Sequence, residues 1–153
     1  AEMAAYYKDQ GRSLWDALLD IYEEYGCYKE KLIAITKKGK SGAEEIAALM
    51  DKYRKDPPLV LGGSMVSVVK DYKNSTSTNK ADGSVEALDF PKSNVLQFFT
   101  QDGSIISARP SGTEPKIKFY CSVNTPLPSR ADFEAVERKL DTKIDQIMKD
   151  LGV

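Results

Sequence analysis

The residues Arg109-Pro110-Ser111-Gly112-Thr113-Glu114-Pro115-Lys116 make most sense as a binding device. Arg109 offers a planar fork of donors that suits a phosphate dianion. Ser111 and Thr113 add hydroxyl donors. Gly112 is expected to let the chain turn so that successive backbone N–H groups converge on an anion. Pro110 and Pro115 fix φ on either side, which lowers the entropy lost when the loop closes on a ligand. Beyond the loop, a strand places Lys116, Lys118 and Tyr120 on one face and Ile117, Phe119 and Cys121 on the other, so Lys118 is aimed at the same anion. Ser, Gly, Thr and Pro also build ordinary surface loops, and a lysine on an open face is often merely solvated. The arginine at one edge and the lysines at the other favour the anion. Glu114 has no partner to tune it as a base and reads as a loop acid.

Elsewhere in the chain, any self-contained chemistry would fall to carboxylates or lysines. The chain has no histidine, which removes the usual general base, the usual zinc ligand and every Ser-His or Cys-His nucleophile. No catalytic residue and no metal ligand is assigned.

The elements that hold the loop follow from periodicity and caps. Three helices are predicted to start near Ser13, Ser41 and Ser129, each a Ser followed three residues later by an acid. The first carries Leu14, Leu18, Ile21, Tyr22 and Tyr25 on one face and stops at Gly26. The second carries Ile46, Leu49, Met50 and Tyr53 and stops before Pro57 and Pro58. The third carries a stripe of Phe133, Val136, Leu140, Ile144, Ile147 and Leu151, expected to pack on the chain's own sheet rather than on a partner helix.

Strands are predicted over Tyr28–Thr36, Met65–Tyr72, Val95–Thr100, Ser104–Ala108 and Ile117–Val123, with Asp102-Gly103 as a tight hairpin. Lys73 to Gly83, rich in Asn, Ser, Thr and Lys, reads as an exposed loop. Strand, helix, antiparallel strands and a closing helix describe an α+β domain, a small antiparallel sheet with helices on one face and the other face open. Ala1 to Lys8 reads as the end of a helix begun in a preceding domain. Residues 1–26 are therefore assigned to that domain and 27–153 to the phosphate-binding domain.

Length and charge bound the rest. The 153 residues suffice for one compact domain. With 22 Lys and Arg against 23 Asp and Glu, the net charge is −1, and the pI near 5.6 argues against nucleic acid. Cys27 and Cys121 lack metal spacing and read as buried free thiols, which suits a cytoplasmic protein. No apolar run is long enough for a membrane span, and no membrane partner is expected. Lys37, Lys38 and Lys40 read as a solvated cluster. Trp15 with Tyr6, Tyr7, Tyr22 and Tyr25 reads as helix packing rather than as a sugar platform.

The run Arg109 to Tyr120, Arg-Pro-Ser-Gly-Thr-Glu-Pro-Lys-Ile-Lys-Phe-Tyr, resembles the phosphate-binding loop of the α-D-phosphohexomutase family, which includes phosphoglucomutase and phosphomannomutase. Tyr25-Gly26-Cys27-Tyr28-Lys29-Glu30-Lys31 and Asp102-Gly103-Ser104 extend the likeness over nearly the whole chain, to the family's last domain. The first 25 or so residues resemble the closing helices of the third. The resemblance implies a TATA-binding-protein-like sheet and a four-domain isomerase moving a phosphoryl group between the 1- and 6-hydroxyls of a hexose through a bisphosphate. It implies a phosphoserine, a Mg²⁺ loop and a sugar-reading loop in the other three domains, and a hexose bisphosphate activator, none of them in this chain. To this chain it gives the grip on the non-reacting phosphate of glucose or mannose phosphate, by Arg109, Ser111, Gly112, Thr113 and Lys118. The isolated domain is then expected to be inactive. The rival readings are a free-standing phosphosugar-binding regulatory module and a helix-mediated interaction domain built on the Phe133–Leu151 stripe.

Overall fold

The computed structural model describes residues 1–153, the Lys40 side chain excepted. In chain order the elements are α1 (Glu2–Asp9), α2 (Leu14–Tyr25), β1 (Cys27–Thr36), α3 (Gly39–Lys55), β2 (Val60–Leu61), β3 (Ser64–Asp71), β4 (Thr76–Asn79), β5 (Val85–Ala87), β6 (Leu96–Thr100), β7 (Ile105–Pro110), β8 (Lys116–Thr125) and α4 (Phe133–Asp150), the last preceded by a 3₁₀ turn at Arg130–Asp132. The antiparallel sheet runs β1-β8-β7-β6-β3-β4-β5, with β2 paired to β3.

Alternation along the strands sorts the two faces. In β8, Ile117, Phe119, Cys121 and Val123 are buried, while Lys116, Lys118, Tyr120 and Ser122 point the other way. The buried set joins Leu96 and Phe98 of β6 and Ile106 and Ala108 of β7. Helices α3 and α4 cover it with the stripes their periodicity announces, Ile46, Met50 and Tyr53 from one, Leu140, Ile144 and Ile147 from the other, continued by Leu151 just past α4. The buried Tyr53 hydroxyl donates to the Leu151 carbonyl at 2.7 Å, and burial pushes its pKa up. Cys27 and Cys121 are free and buried, and burial pushes the Cys121 thiol up to about 11. The α+β arrangement with helices on one sheet face is the expected one.

Four details differ from expectation. Ser13 closes a complete capping box with Asp16 and Ser129 caps the 3₁₀ turn. Ser41, however, lies inside α3, which starts two residues earlier with Lys38 as an N-cap that makes no side-chain bond. Just inside the helix the chain passes close to Lys37, where a Cβ on Gly42 would sit 2.6 Å from the Lys37 Cβ, a position that only glycine fills without a shift. Secondly, Lys73 to Gly83 is not all loop, because Thr76–Asn79 forms β4 and pairs with both β3 and β5. Thirdly, α2 buries Ala17 and Leu19, whereas Leu14, Ile21 and Tyr25 stay exposed. Its neighbour sets this choice: Tyr22 stacks on Phe133 at 6.0 Å, Trp15 meets the same ring edge-on at 4.8 Å, and Arg130 bridges Asp20 and Glu23. Lastly, the exposed basic cluster is not without a partner, since Lys37 pairs with Glu45 at 3.4 Å while staying open to solvent, and the Lys40 side chain lies outside the described residues.

The β6–β7 turn is the predicted tight one. Gly103 takes φ +82°, the left-handed region that favours glycine, and its N–H donates to the Thr100 carbonyl. Desolvation raises the Asp102 pKa, but hydrogen bonds from Lys143, Thr100 and Ser104 more than offset it and hold the group at about 2. A carboxylate held below its unfolded value of 3.8 stabilises the fold above that pH, and the contribution is lost as pH falls towards 2. Urea unfolding is therefore expected to show a steeper loss of stability across this acid window for the wild type than for Asp102→Asn. Equal slopes would mean that the carboxylate adds nothing.

Candidate functional site

Two hairpin arms position the site. The last residues of β7 and the first of β8 are paired, Pro110 opposite Ile117 and Arg109 directly opposite Lys118. The loop between them is closed by the Ser111 N–H, which donates to the Lys116 carbonyl at 2.7 Å, and by the Lys116 N–H, which donates to the Glu114 carbonyl at 2.7 Å. A further anchor comes from the end of β1, where the Lys37 N–H donates to the Pro115 carbonyl at 2.8 Å. Sequence reasoning missed this anchor, because a backbone bond between distant residues leaves no trace in residue type.

Arg109, Pro110, Ser111, Gly112, Thr113 and Lys118 line one depression of about 290 Å³. All five of the residues expected to contact phosphate are thus brought together, and Glu114, which is exposed, does not line the depression. Like charges directly opposite on neighbouring strands repel and destabilise a sheet. Among the described residues, no carboxylate lies within ion-pair distance of Arg109 or Lys118. An anion seated between them relieves that repulsion.

The loop's inner geometry corrects two expectations. Gly112 does not adopt positive φ, so the glycine is not required by the turn. A Cβ on it would have no heavy atom within 4 Å, so what its bare Cα provides is open space at the tip. The Thr113 and Glu114 N–H groups do not converge outward either, since they donate to the Ser111 hydroxyl oxygen at 3.4 and 3.3 Å. With its oxygen accepting from the backbone, the Ser111 hydroxyl keeps its hydrogen for an acceptor outside the loop.

Residues 32–140 match the family described as Phosphoglucomutase/phosphomannomutase, C-terminal domain. The chain belongs to that family. The phosphoglucomutase of Staphylococcus haemolyticus (strain JCSC1435) is 42% identical over 117 residues, which cover 76% of this chain and 21% of that protein. Those of Staphylococcus aureus (strain bovine RF122 / ET3-1) and Staphylococcus epidermidis (strain ATCC 12228 / FDA PCI 1200) are 36% and 33% identical over 141 residues, 92% of this chain and 24% and 25% of theirs. The chain thus spans about a quarter of the length of these relatives. Among solved structures, the open form of the Paramecium exocytosis-sensitive phosphoprotein pp63/parafusin, a phosphoglucomutase, aligns over 92% of this chain and 24% of its own, at 14% identity and a TM-score of 0.45.

No group of three or more His, Cys, Asp or Glu that could hold a metal ion comes together among the described residues. No helix of the chain is long and apolar enough to cross a membrane.

Proposed function

We propose that this chain is the phosphate-holding part of a phosphohexomutase. In it Arg109, Ser111, Gly112, Thr113 and Lys118 grip the non-reacting phosphate of a glucose or mannose phosphate while the reacting end is served by other parts of the protein. The observation that carries this reading is the unneutralised pair Arg109 and Lys118, directly opposed at the mouth of a hydroxyl-lined depression. Arg109 supplies a planar fork for two phosphate oxygens, Lys118 a point charge, and Ser111 and Thr113 hydroxyl donors. Open space over Gly112 lets the anion approach the backbone. Holding a remote phosphate orients the sugar and supplies binding energy that lowers the barrier at its other end.

The same reading places residues 1–26 with a preceding domain and 27–153 with the phosphate-holding one. It is supported by α1, which buries no residue, and by a family match that begins at residue 32. The Mg²⁺, the phosphoserine and the bisphosphate activator belong to the rest of the enzyme, and two buried free thiols suit the cytoplasm.

Titrating the chain with glucose 6-phosphate, while following amide NMR signals, tests the proposal. Signals of Ser111 to Glu114 are expected to move, and the chain alone is expected to interconvert no glucose 1- and 6-phosphate. Unmoved loop signals would overturn the phosphate grip; turnover by the chain alone would overturn the division of labour.

A further inference from the structure

The sheet face that α3 and α4 cover is not sealed towards the β4–β5 hairpin. A depression of about 250 Å³ opens there at the end of α3, lined among others by Arg54, Lys55, Asp71, Thr76, Thr78 and Lys80. It shares no lining residue with the depression at Arg109. Register puts it on the opposite face of the sheet. Thr76 and Thr78 pair with the buried Asp71 and Val69, Asp71 pairs with Leu96, and Leu96 with Ala108, whereas Arg109 is the next residue along and faces the other way. Strands β3 and β6 also stand between β4 and β7, the nearer arm of the phosphate hairpin, which makes about 14 Å of sheet.

The charges in this opening do not cancel. Asp71 is the one carboxylate of the lining, and both its oxygens are engaged. One accepts from Arg54 Nε at 3.4 Å and from the Lys73 N–H at 3.0 Å, the other from Asn74 Nδ2 at 2.6 Å. The Arg54 side chain is only 11% exposed and also donates to Asn94, so it is braced in place with N–H groups to spare. Lys55 and Lys80 make no ion pair among the described residues. Neither the Thr76 nor the Thr78 hydroxyl has a hydrogen-bond partner among them. Thr76, Thr78 and Lys80 alternate along the chain, which brings two hydroxyls and an ammonium to the same opening. The carbonyl end of α3 is partially negative and opposes an anion, but Lys52, Arg54 and Lys55 in its last turn offset it. The opening is therefore rich in donors that have no acceptor.

We propose that it is a second anion site, in which Lys55, Lys80, Thr76 and Thr78 hold a phosphate dianion beside the braced Arg54. Its volume is close to the 290 Å³ of the hairpin depression and below the roughly 300–1,000 Å³ of sites that enclose a drug-sized ligand, which suits the oxyanion alone. An anion seated there ties the β4–β5 hairpin to the end of α3. Arg54 is already committed to Asp71, so no free planar fork meets the anion, and binding is expected to be weaker than at Arg109. The site goes beyond the phosphate grip and does not depend on it.

Titrating the chain with inorganic phosphate tests the proposal, with residue-resolved amide NMR as the readout and sodium chloride at equal ionic strength as the control. Phosphate is expected to move the Thr76–Lys80 signals to saturation, which chloride does not reproduce. Arg109→Ala is expected to leave those shifts intact while weakening the response at Ser111–Thr113. Lys80→Ala is expected to weaken the response at Thr76–Thr78 at least about tenfold, and Thr78→Val about two- to tenfold, with Ser111–Thr113 unaffected by either. Circular dichroism melting establishes that each variant is folded, and Thr78→Val carries the test if Lys80→Ala is not. Thr76–Lys80 signals that stay still, that follow chloride as closely as phosphate, that fall silent with Arg109→Ala, or that respond undiminished in the folded Lys80 and Thr78 variants would overturn the second site. The grip would then stand or fall on its own signals. Movement at Thr76–Lys80 with a silent hairpin would overturn the grip and uphold the second site.

Discussion

Arg109→Ala is expected to cost the chain about 10- to 150-fold in affinity for glucose 6-phosphate and inorganic phosphate alike. A hydrogen bond to a charged group is worth about 1.5–3 kcal/mol, and every 1.4 kcal/mol or so is tenfold in affinity. Arg109 is exposed and, among the described residues, makes no ion pair, so its removal should leave the melting temperature nearly unchanged. Arg109→Lys retains the charge but loses the two-pronged geometry, and is expected to recover only part of the affinity. In a phosphohexomutase built with this chain the proposed grip predicts that the same change raises KM and lowers kcat together, because a remote contact is used at the reacting end of the sugar. Isothermal titration and steady-state kinetics read these effects. An unchanged phosphate affinity would remove Arg109 from the site.

Phe119→Ala is expected to do the opposite, damaging the fold rather than the contact. Phe119 is fully buried in β8, between Ile33 of β1 and Ala108 of β7, and its chain neighbours Lys118 and Tyr120 face the open side of the sheet. Truncating a buried Phe costs about 3–5 kcal/mol through lost burial and the cavity left behind. That is a large share of a typical stability of about 5–15 kcal/mol. At about 2–4 °C per kcal/mol for a chain of this size, the melting temperature should fall by about 6–20 °C. A drop of a degree or less by calorimetry would mean that the β8 core does not bear on stability as its burial says.

Periodic burial made α3, α4 and the strands β1, β3, β6, β7 and β8 legible in the sequence. Leu140, Ile144 and Ile147 could only be one stripe, and Ile117, Phe119 and Cys121 only one face. The β4–β5 hairpin carried no such signal, because every residue of β4 is half-exposed and every residue of β5 is exposed. A hairpin of Thr-Ser-Thr-Asn paired with an exposed Val-Glu-Ala is held by its backbone ladder, and a ladder is not written in hydrophobicity. The start of α3 escaped as well, as Ser41 has the right chemistry for a cap but the helix begins at Gly39 with no side-chain cap bond, so residue type alone misplaced the boundary.

At the site, the residue set Arg109, Ser111, Gly112, Thr113 and Lys118 was legible because charge and hydroxyl types announce an anion. The role of each was less so. Whether Gly112 serves the turn or the open tip depends on a dihedral angle, and whether the Thr113 N–H faces a ligand depends on where the Ser111 oxygen lies. Neither is a property of residue type.

The placement of Lys29 and Lys31 on β1 bears on how the chain behaves when crowded. This strand ends the sheet, and both lysines turn inward to reach α4, Lys29 to Glu137 and Asp141, Lys31 to Asp145. A bare strand edge invites another molecule's backbone to zip onto it, the first step towards amyloid-like growth. A strand arriving there would have to bring its own side chains past two charges already committed to the helix beneath, so the long edge beside the phosphate hairpin is guarded against aggregation.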